Sequence, residues 1–459
     1  MTSRCGAQVP RDGQPASRAR TGVAASAGAL IVFLAWWAGW FPGFLSPDSL
    51  DQLRQVDTVE FNDVHPASHT FLIWAITRLW DTPGAVTLAQ AVAMAAALGY
   101  VAARLDESGV DARLAVGAVW LIAALPPVSQ TTVALWKDVP YTIAVVWLFA
   151  EFVHLGNDQD AAWFSPTTAL RIGLALGLLT LFRHNGILPA AIVAVGIAIA
   201  YRRRLRQVLV VLATAVLLVV SMQLGVYRLA DVDTTRLYVD PFISDVAVVF
   251  DQHPQAFTAD QREYLTRIAP YEVWDDHTCD DVNRVSYHPA FNRGALLEDQ
   301  SRFVRVALHA VASRPLTVAA NHLCNASYLA IPRQPADAYL QRPPYAIPDN
   351  GLGIARQPLS GVAYRVTRHV FVWAESPSVL GVLWRPALPL LAAVAAFIVV
   401  GTRTQWRLLW PALLVGALVV NELLIVMAQE FRFVFPIYLT SLLSVPLATA
   451  TDNSRPPPA

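Results

Sequence analysis

The sequence has little charge and almost no lysine. Of its 459 residues, 15% are charged and 55% are hydrophobic, whereas soluble domains carry about 25% charged residues. This composition argues against an ordinary soluble domain and predicts a polytopic membrane protein. The formal net charge is +0, so bulk charge gives no reason to expect a nucleic-acid partner. Lys137 is the single lysine, and arginine supplies every other strongly basic side chain.

Cysteine is also scarce, and the motifs of common cofactor sites are missing. The sequence has no zinc-ligand spacing, no glycine-rich phosphate loop and no internal repeat. Cys5 lies in a polar N-terminal tail, while Cys279 and Cys324 lie in one large polar region. An extracytoplasmic location of that region favours a disulfide between these two residues. Two unpaired, buried thiols are the alternative.

Long apolar runs dominate the rest of the chain. Ten are candidates for membrane-spanning helices: 24–44, 84–103, 114–134, 139–155, 167–183, 186–201, 207–225, 378–400, 408–428 and 433–449. An eleventh run, 69–80, is too short to span and is predicted to be a juxtamembrane helix in the membrane interface. The sequence therefore predicts an all-α polytopic membrane protein with about ten transmembrane helices.

The arginines set the predicted topology. If 69–80 does not cross the membrane, the arginines of the N-terminal tail and the cluster at 202–206 share one side. The positive-inside rule makes this side cytoplasmic. We therefore expect a multi-pass protein of the plasma (inner) membrane with both termini in the cytoplasm. Its predicted parts are a disordered tail (1–22), a transmembrane module (23–225) with an outer loop (42–83), an extracytoplasmic α-rich domain (226–376), C-terminal transmembrane helices (377–450) and a second tail (451–459).

The polar clusters between the spans all fall on the opposite, outer side. They lie in the outer loop 42–83, at 136–141, at 183–186, in the domain 226–376 and at 430–433. Acids at a membrane boundary are costly unless they have partners or a task. The arginines alone determine the predicted topology. That the polar clusters all fall on one side of the membrane is therefore an independent observation, and it predicts one site on the outer face.

The outer loop 42–83 supplies two acids and a histidine. Asp48 either acts as a general base toward an acceptor hydroxyl or, like Ser46 before it, caps a short helix. Asp63 and His65 are two residues apart, so in an extended segment their side chains point to the same side. There they would bind a metal, bind a sugar or pair with each other.

The second and third clusters supply cations. Lys137 is either a snorkelling side chain paired with Asp138 or a compact ligand for a phosphate. Arg183, followed by His184 and Asn185, lies at an outer boundary, where the charge bias disfavours arginine. It therefore needs an anionic partner, and a lipid phosphate or Asp138 would serve.

The last cluster lies at the outer end of the ninth predicted span. Glu430 and Arg432 flank Phe431 there. The two form an ion pair, or Arg432, like Arg183, has an anionic partner such as a lipid phosphate. Glu422 lies within the span, where a carboxyl group must be neutral or paired.

These motifs resemble the GT-C superfamily of integral-membrane glycosyltransferases. The similarity is to the branch of protein O-mannosyltransferases and the lipid A aminoarabinose transferase. Ser46-Pro47-Asp48-Ser49 is similar to the acidic element after their first span, and Asp63-Val64-His65-Pro66 to the His-Pro element that opens their juxtamembrane helix. Asp138 resembles their second acid. The resemblance covers roughly residues 24–225 and 378–450.

Two further elements fit the resemblance, and three positions depart from it. Arg183 to Pro189 resembles an outer turn ending in Leu-Pro, and Arg432 with Pro436 a late Arg-aromatic-x-x-Pro element. Ser49 replaces a second acid, and Ala67 replaces a second proline. The second outer loop has no Asp-x-Asp element, so a divalent metal is not indicated and no metal ligand is assigned.

The resemblance implies an inverting, extracytoplasmic glycosyltransferase with a GT-C-like bundle. Such an enzyme moves a sugar from a polyprenyl-phosphate donor to a glycan, lipid or protein acceptor. The implied catalytic residues are Asp48 or Asp63 as the base and Asp138, which positions the acceptor or Lys137. The implied substrate-binding residues are His65, Lys137, Arg183, His184, Asn185, Glu430 and Arg432, with the three cations on the phosphate.

Two other classes of protein remain as alternatives. A transporter or flippase places ionisable residues near the bilayer midplane, often in repeated halves, whereas here the polar motifs lie at one boundary. A non-catalytic membrane scaffold with a GT-C fold is the second alternative.

Overall fold

The regular secondary structure is helical in the part of the chain described by its computed structural model, which covers residues 14–156, 164–234, 239–335, 338–404, 407–426 and 428–450. Within these ranges there are isolated β-bridges and no β-strands, which confirms the predicted all-α class. The tail residues 1–13 and 451–459, and Cys5 with them, lie outside the described residues.

The helices fall into three groups along the chain. The first group is α1 (Gln14–Gly39), α2 (Pro47–Thr58), α3 (Ala67–Thr77), α4 (Pro83–Glu107), α5 (Ala112–Ala124), α6 (Pro126–Thr132), α7 (Asp138–Gly156), α8 (Pro166–Phe182), α9 (Ile187–Ala200) and α10 (Leu205–Ser221). The second is α11 (Asp240–Gln252), α12 (Ala259–Ile268), α13 (Tyr271–Asp275), α14 (Asn283–Ser286), α15 (Arg293–Glu298), α16 (Gln300–Ser313) and α17 (Pro315–Asn325). The third is α18 (Gly361–Ala374), α19 (Pro377–Leu383), α20 (Ala387–Thr404), α21 (Trp410–Ile425) and α22 (Phe431–Ser444).

Each of the ten predicted spans contains helix. Among the described residues, six helical stretches are long and apolar enough to cross a membrane: Ala16–Gly39, Pro83–Glu107, Asp138–Gly156, Leu205–Tyr227, Pro377–Arg403 and Phe431–Thr449. A bent pair, α5 with α6, adds a seventh when counted as one span. The remaining three, formed by α8, α9 and α21, are shorter apolar helices. The chain thus has the apolar helices of a polytopic membrane protein.

Two of these helices differ from the predicted segments. The predicted span 114–134 is bent by 71° between α5 and α6, because Pro126 and Pro127 lack the amide protons that a continuous helix needs. Helix α1 begins at Gln14, inside the tail that was predicted to be disordered. There the Thr21 hydroxyl donates to Asp106 at 2.8 Å, which ties this first part of α1 to the end of α4.

Helix α3 is the short helix predicted at 69–80. Its buried face contains His69 and Thr70, and both side chains contact Gln52 of α2: His69 Nδ1 lies 2.9 Å from Gln52 Oε1, and Gln52 Nε2 donates to Thr70 at 3.0 Å. Trp74 and Trp80 are exposed on the other side. Helices α2 and α3 therefore form one unit that lies beside the ends of the long apolar helices.

A second hydrophobic core lies apart from the core of the bundle. Its buried residues come from Val239 to Val318, together with Ala428. Cys279 and Cys324 are joined by a disulfide with 5.9 Å between their Cα atoms. Of the two alternatives that the sequence left open, the disulfide is therefore the one observed. We call the end of the bundle that carries α2, α3 and this second core the cavity end.

The loop after α1 is joined to the loop before α7 by main-chain hydrogen bonds. Phe44 N donates to Val133 O at 3.1 Å, and Leu135 N donates to Phe44 O at 2.9 Å. Gly43 permits this close approach, because its φ is +118° and a Cβ atom there would lie 2.6 Å from Val133 O. The pairing brings the first and second polar clusters of the sequence together.

The Gly43→Ala variant is expected to be less stable than the wild-type protein. The added methyl group meets a backbone oxygen, and alanine disfavours a positive φ, so we expect a loss of about 2 kcal/mol or more. Thermal unfolding in detergent measures this change. Gly117→Ala is the matched control, because nothing lies within 4 Å of its added Cβ and alanine favours a helix. Equal unfolding temperatures for Gly43→Ala and Gly117→Ala would contradict the expectation.

Candidate functional site

One cavity of about 140 Å³ lies at the cavity end, between the polar loops and the second core. Eight of the ten site residues predicted from the sequence line it: Asp48, His65, Lys137, Arg183, His184, Asn185, Glu430 and Arg432. They come from four separate stretches of the chain. Asp63 and Asp138 are not among the lining residues.

Asp48 is held in the first turn of α2 by a well-capped helix start. Ser46 is the N-cap, its hydroxyl accepts from the Ser49 amide, and the Ser49 hydroxyl contacts the Ser46 amide in return. The Ser49 hydroxyl also donates to Leu135 O at 2.7 Å, and Trp136 Nε1 donates to Ser46 at 3.0 Å. Ser46 therefore caps the helix, and the Asp48 carboxylate is left to face the cavity.

Arg432 joins two carboxylates at the cavity. Its Nη1 donates to Asp48 and its Nε donates to Glu430, and Asn283 Nδ2 donates to Glu430 at 3.4 Å. Burial alone would raise the pKa of Asp48, but Arg432, followed by His65, holds it well below its usual range. Burial raises the pKa of Glu430, against the opposing effect of Arg432. The two carboxylates therefore differ in basicity although they share one partner.

Lys137 contacts an imidazole rather than a carboxylate. Its Nζ lies 3.0 Å from His65 Nδ1, and His65 Nε2 lies 3.8 Å from Asp48 Oδ1. Burial, and then the Lys137 charge, lower the pKa of His65 to about 3, although Asp48 opposes this shift. The imidazole is therefore neutral, and its Nδ1 accepts from the ammonium group. Burial also lowers the pKa of Lys137, against the opposing effect of Asp138 and Asp48.

Arg183 has the anionic partner that its position requires, and the partner is Asp138. Arg183 Nε lies 3.2 Å from Asp138 Oδ1, and the two side chains are 5% and 0% exposed. The guanidinium also lies over the rings of Tyr141 and Phe433, at 5.2 and 5.0 Å from their centres. Asp138, which is buried and does not line the cavity, thus neutralises the charge of Arg183, which does. Asp138 does not pair with Lys137.

Asp63 does not share a side with His65, contrary to the prediction. Its Oδ1 accepts from the Ala67 amide at 2.8 Å and so caps α3, while His184 Nε2 lies 2.9 Å from its carbonyl oxygen. Its side chain lines a second cavity of about 490 Å³ beside Tyr227. Residues 63–65 form a bend, so the alternation of an extended strand, on which the prediction relied, does not apply.

Four polar residues of the second core complete the main cavity and were not predicted. They are Asn283, Ser286, Tyr287 and Arg293. No motif marks them, because they lie in and after a short helix whose position depends on long-range contacts. The nearby cysteine Cys279 is the one signal in the sequence that this segment is held in place.

Glu422 also has a partner that the sequence could not identify. The Tyr328 hydroxyl donates to its Oε1, and both side chains are buried. Tyr328 follows α17, so this contact ties the second core region to α21. Within the described ranges, no group of three or more His, Cys, Asp or Glu side chains is arranged to hold a metal ion.

The neutral state of His65 predicts a pH-dependent loss of stability. In the unfolded chain a histidine takes up a proton near pH 6.5, whereas in the folded protein His65 does so near pH 3. Between these values proton uptake favours the unfolded state, so stability is lost as the pH falls. From pH 7.5 to 5.0, the wild type should lose about 2 kcal/mol more than His65→Gln does.

Chemical unfolding in detergent at the two pH values measures this difference. His253→Gln, at a histidine outside the cavity, is the control and should behave like the wild type. If His65→Gln and the wild type lose the same free energy of unfolding, the imidazole is already charged in the folded protein.

Comparison with known proteins finds little similarity. No family model matches the chain, and none of the curated proteins matches it. Among solved structures, the archaeal oligosaccharyltransferase AglB from Archaeoglobus fulgidus, solved with an inhibitory peptide and a dolichol-phosphate, is similar over 95% of this chain. The identity is 12% and the TM-score is 0.42, and the chain spans 50% of that protein's length. The function proposed below therefore rests on the geometry of the cavity.

Proposed function

We propose that this protein is a glycosyltransferase that moves a sugar from a polyprenyl-phosphate donor to an acceptor hydroxyl at the outer face of a membrane. The observation that carries the proposal is the convergence of Asp48, His65 and Lys137 on one cavity at the end of an apolar helix bundle. A carboxylate, a neutral imidazole and a buried ammonium group, close to lipid, suit a donor that has a charged head and an apolar tail.

Lys137 is the phosphate ligand in this proposal. Arg183 is neutralised by Asp138, and Arg432 is shared by two carboxylates. In the described part of the chain, no carboxylate lies within ion-pair distance of Lys137, whose near neighbour is the neutral His65. An incoming phosphate therefore finds a charge that is not yet paired, in a site where burial strengthens the attraction.

The reaction is a single displacement at the anomeric carbon. The acceptor oxygen forms a bond to this carbon while the bond from the carbon to the phosphate oxygen breaks. The polyprenyl phosphate leaves with the electron pair of the broken bond, and Lys137 stabilises its growing negative charge. The acceptor proton passes to a carboxylate. No redox step and no covalent enzyme intermediate are required.

Asp48 is the proton acceptor in this proposal, in preference to Asp63. Asp48 lines the cavity, whereas the Asp63 carboxylate caps α3 and lines the other cavity. Because its pKa is held well below the usual range, Asp48 is ionised at any physiological pH. It is a weak base, so it takes the proton late, when the acceptor oxygen has already begun to bond to the sugar.

The apolar tail of the donor lies against the outside of the bundle beside the cavity. Ile187 lies two residues after the cavity-lining Asn185 and is 59% exposed, and Leu424 lies four residues before the cavity-lining Ala428 and is 60% exposed. A ligand with a charged head and an apolar tail matches a charged cavity that is flanked by exposed apolar side chains. The sugar and phosphate enter the cavity while the tail stays in lipid.

The proposed location follows the positive-inside rule. The cavity end faces outward from the plasma membrane, and both termini are cytoplasmic. The acceptor, a glycan, lipid or protein hydroxyl, reaches the cavity from the outer aqueous phase.

Replacing Lys137 by Met or Asp48 by Asn is expected to lower sugar transfer about 100-fold or more. Each variant removes a charge that acts on the reacting atoms. The assay follows radiolabelled sugar from polyprenyl-phosphate hexoses and pentoses into acceptor fractions of membranes that contain the protein. Asp51→Asn is the matched control, because Asp51 lies on the same helix, is 43% exposed and pairs with Arg54 outside the cavity.

The unfolding temperature of each variant is measured first, to establish that the variant is folded before its rate of sugar transfer is compared with that of the wild type. Full transfer by the folded double variant Asp48→Asn, Lys137→Met would rule out the proposed chemistry and favour a transporter or scaffold.

Cysteine labelling tests the proposed orientation. In a Cys5→Ser background, Thr58→Cys and Tyr287→Cys should react with a membrane-impermeant maleimide in intact cells, because both positions are exposed at the cavity end. Arg203→Cys should react only after permeabilisation. The disulfide-bonded cysteines do not react. Labelling of Thr58→Cys and Tyr287→Cys from opposite sides would mean that the two do not share one face.

A further inference from the structure

Both ends of helix α18 lie at the cavity end of the bundle. Its start is fastened to the end of α1, where Leu359 N donates to Ala38 O at 2.8 Å. The helix ends three residues before the apolar stretch Pro377–Arg403. Trp384 of that stretch contacts Phe431, which stands between two cavity-lining residues, with 4.9 Å between the ring centres. Helix α18 therefore begins and ends at the same membrane boundary.

Helix α18 crosses the end of α1 and does not run beside it. The Trp40 indole donates to Thr367 at 2.9 Å, and the Phe371 ring lies 5.0 Å from the Trp40 ring. From its first residue to Phe371 the helix rises about 15 Å, yet these contacts and that of Leu359 all involve Ala38 or Trp40. Because α1 itself runs across the membrane, a helix that crosses its end lies close to the membrane plane.

The side of α1 on which α18 begins faces lipid. Val23 and Ile31 are 70% and 68% exposed, and Ala27 and Ala35 are exposed as well. Steps of four residues place these side chains in one stripe along the helix, and Ala38 lies in line with them. An exposed apolar stripe on a membrane-spanning helix contacts lipid. Since α18 starts at the end of this stripe, lipid lies next to it.

The exposed surface of α18 divides into an apolar flank and a basic flank. The apolar flank consists of Val362, Val366 and Trp373, which are 64%, 60% and 54% exposed. At about 100° per residue, these three lie within about 40° of one another around the helix axis. The basic flank consists of Arg365 and Arg368, which are exposed about 110° away from the apolar flank. This is the pattern of an amphipathic helix in a membrane interface.

The two arginines of the basic flank have no anionic partner among the residues that the structure describes. Arg368 Nε donates to the Tyr345 hydroxyl, a neutral group, at 3.1 Å. Glu375, the acid that follows α18, is paired with Arg342 at 2.8 Å. Guanidinium groups bind phosphate through parallel hydrogen bonds, so Arg365 and Arg368 are available to the phosphates of neighbouring lipids.

We propose that α18 is a membrane-surface helix that binds anionic phospholipids. Its apolar flank lies among the upper parts of the acyl chains, a depth at which tryptophan is enriched, and covering it with lipid removes the cost of exposing it to water. Its basic flank binds the lipid phosphates. The inference goes beyond the proposed function, because it concerns a surface outside the cavity and no step of sugar transfer.

Fluorescence quenching by nitroxide-bearing lipids tests this binding. Val366→Cys in a Cys5→Ser background carries a maleimide fluorophore, since the other two cysteines are disulfide-bonded. The full-length protein is placed in nanodiscs of equal parts phosphatidylcholine and phosphatidylglycerol, in which a small fraction of one lipid or the other has a nitroxide high on its acyl chain. We expect phosphatidylglycerol to quench about threefold more strongly than phosphatidylcholine, because the arginines concentrate anionic lipid at α18.

Removing the two arginines should abolish this preference. In Arg365→Gln with Arg368→Gln, the ratio of the two quenching efficiencies should fall to about one, while quenching by phosphatidylcholine remains. Arg267→Gln with Arg305→Gln is the matched control, because it removes the same charge from exposed positions on α12 and α16. Both lipids are compared in one protein preparation, so a loss of folded protein affects both signals equally.

A second label position tests whether the preference belongs to α18. A fluorophore at Leu217→Cys, which is exposed on α10, should be quenched equally by the two lipids. If neither lipid quenches the Val366→Cys label, this face meets water or a second copy of the chain, and the proposal is wrong. It is equally wrong if the two lipids quench that label alike, if Leu217→Cys shows the same preference, or if the preference survives the loss of both arginines. None of these results depends on sugar transfer.

Discussion

The cavity depends on the contacts of one guanidinium group. Arg432, at the start of α22, binds Asp48 from the first loop and Glu430 from the linker that holds the second core. An unpaired charge buried at this position would be costly, whereas a charge with two carboxylate partners satisfies its hydrogen bonds and holds three parts of the chain in one arrangement. Such a buried network of charges adds little to the free energy of unfolding. Removing one of its members is nevertheless strongly destabilising, because the remaining charges are then buried without a partner.

The cations of the site therefore divide into two kinds. Arg183 and Arg432 have carboxylate partners and shape the cavity, while Lys137 rests against a neutral imidazole. Burial keeps His65 neutral, so the histidine accepts a hydrogen bond from the lysine without cancelling its charge. Under the proposed function, the single lysine of a chain that otherwise uses arginine suits this position, because a compact ammonium group can bind the donor phosphate and release it.

Much of the site was predictable because polar residues at a membrane boundary are conspicuous. Eight predicted residues line one cavity, and the partner of Arg183 was one of the two that the sequence suggested. The prediction that Asp63 and His65 point to the same side was wrong. Residues two apart share a side only in an extended segment, and this segment bends. Tyr287 was missed, because nothing in the local sequence distinguishes a tyrosine at a cavity from any other surface tyrosine.

The sequence by itself determined the helical class and the apolar segments, since these follow from composition, hydrophobic length and local patterning. It left open whether Cys279 and Cys324 are paired. The tertiary structure alone decided which charges pair, which carboxylate faces the cavity, and that residues 282–293 close one of its sides. Those properties arise from contacts between residues far apart in the chain, such as Arg432 with Asp48 and Tyr328 with Glu422. Such contacts cannot be predicted from the local sequence, because they form only when tertiary packing brings distant parts of the chain together.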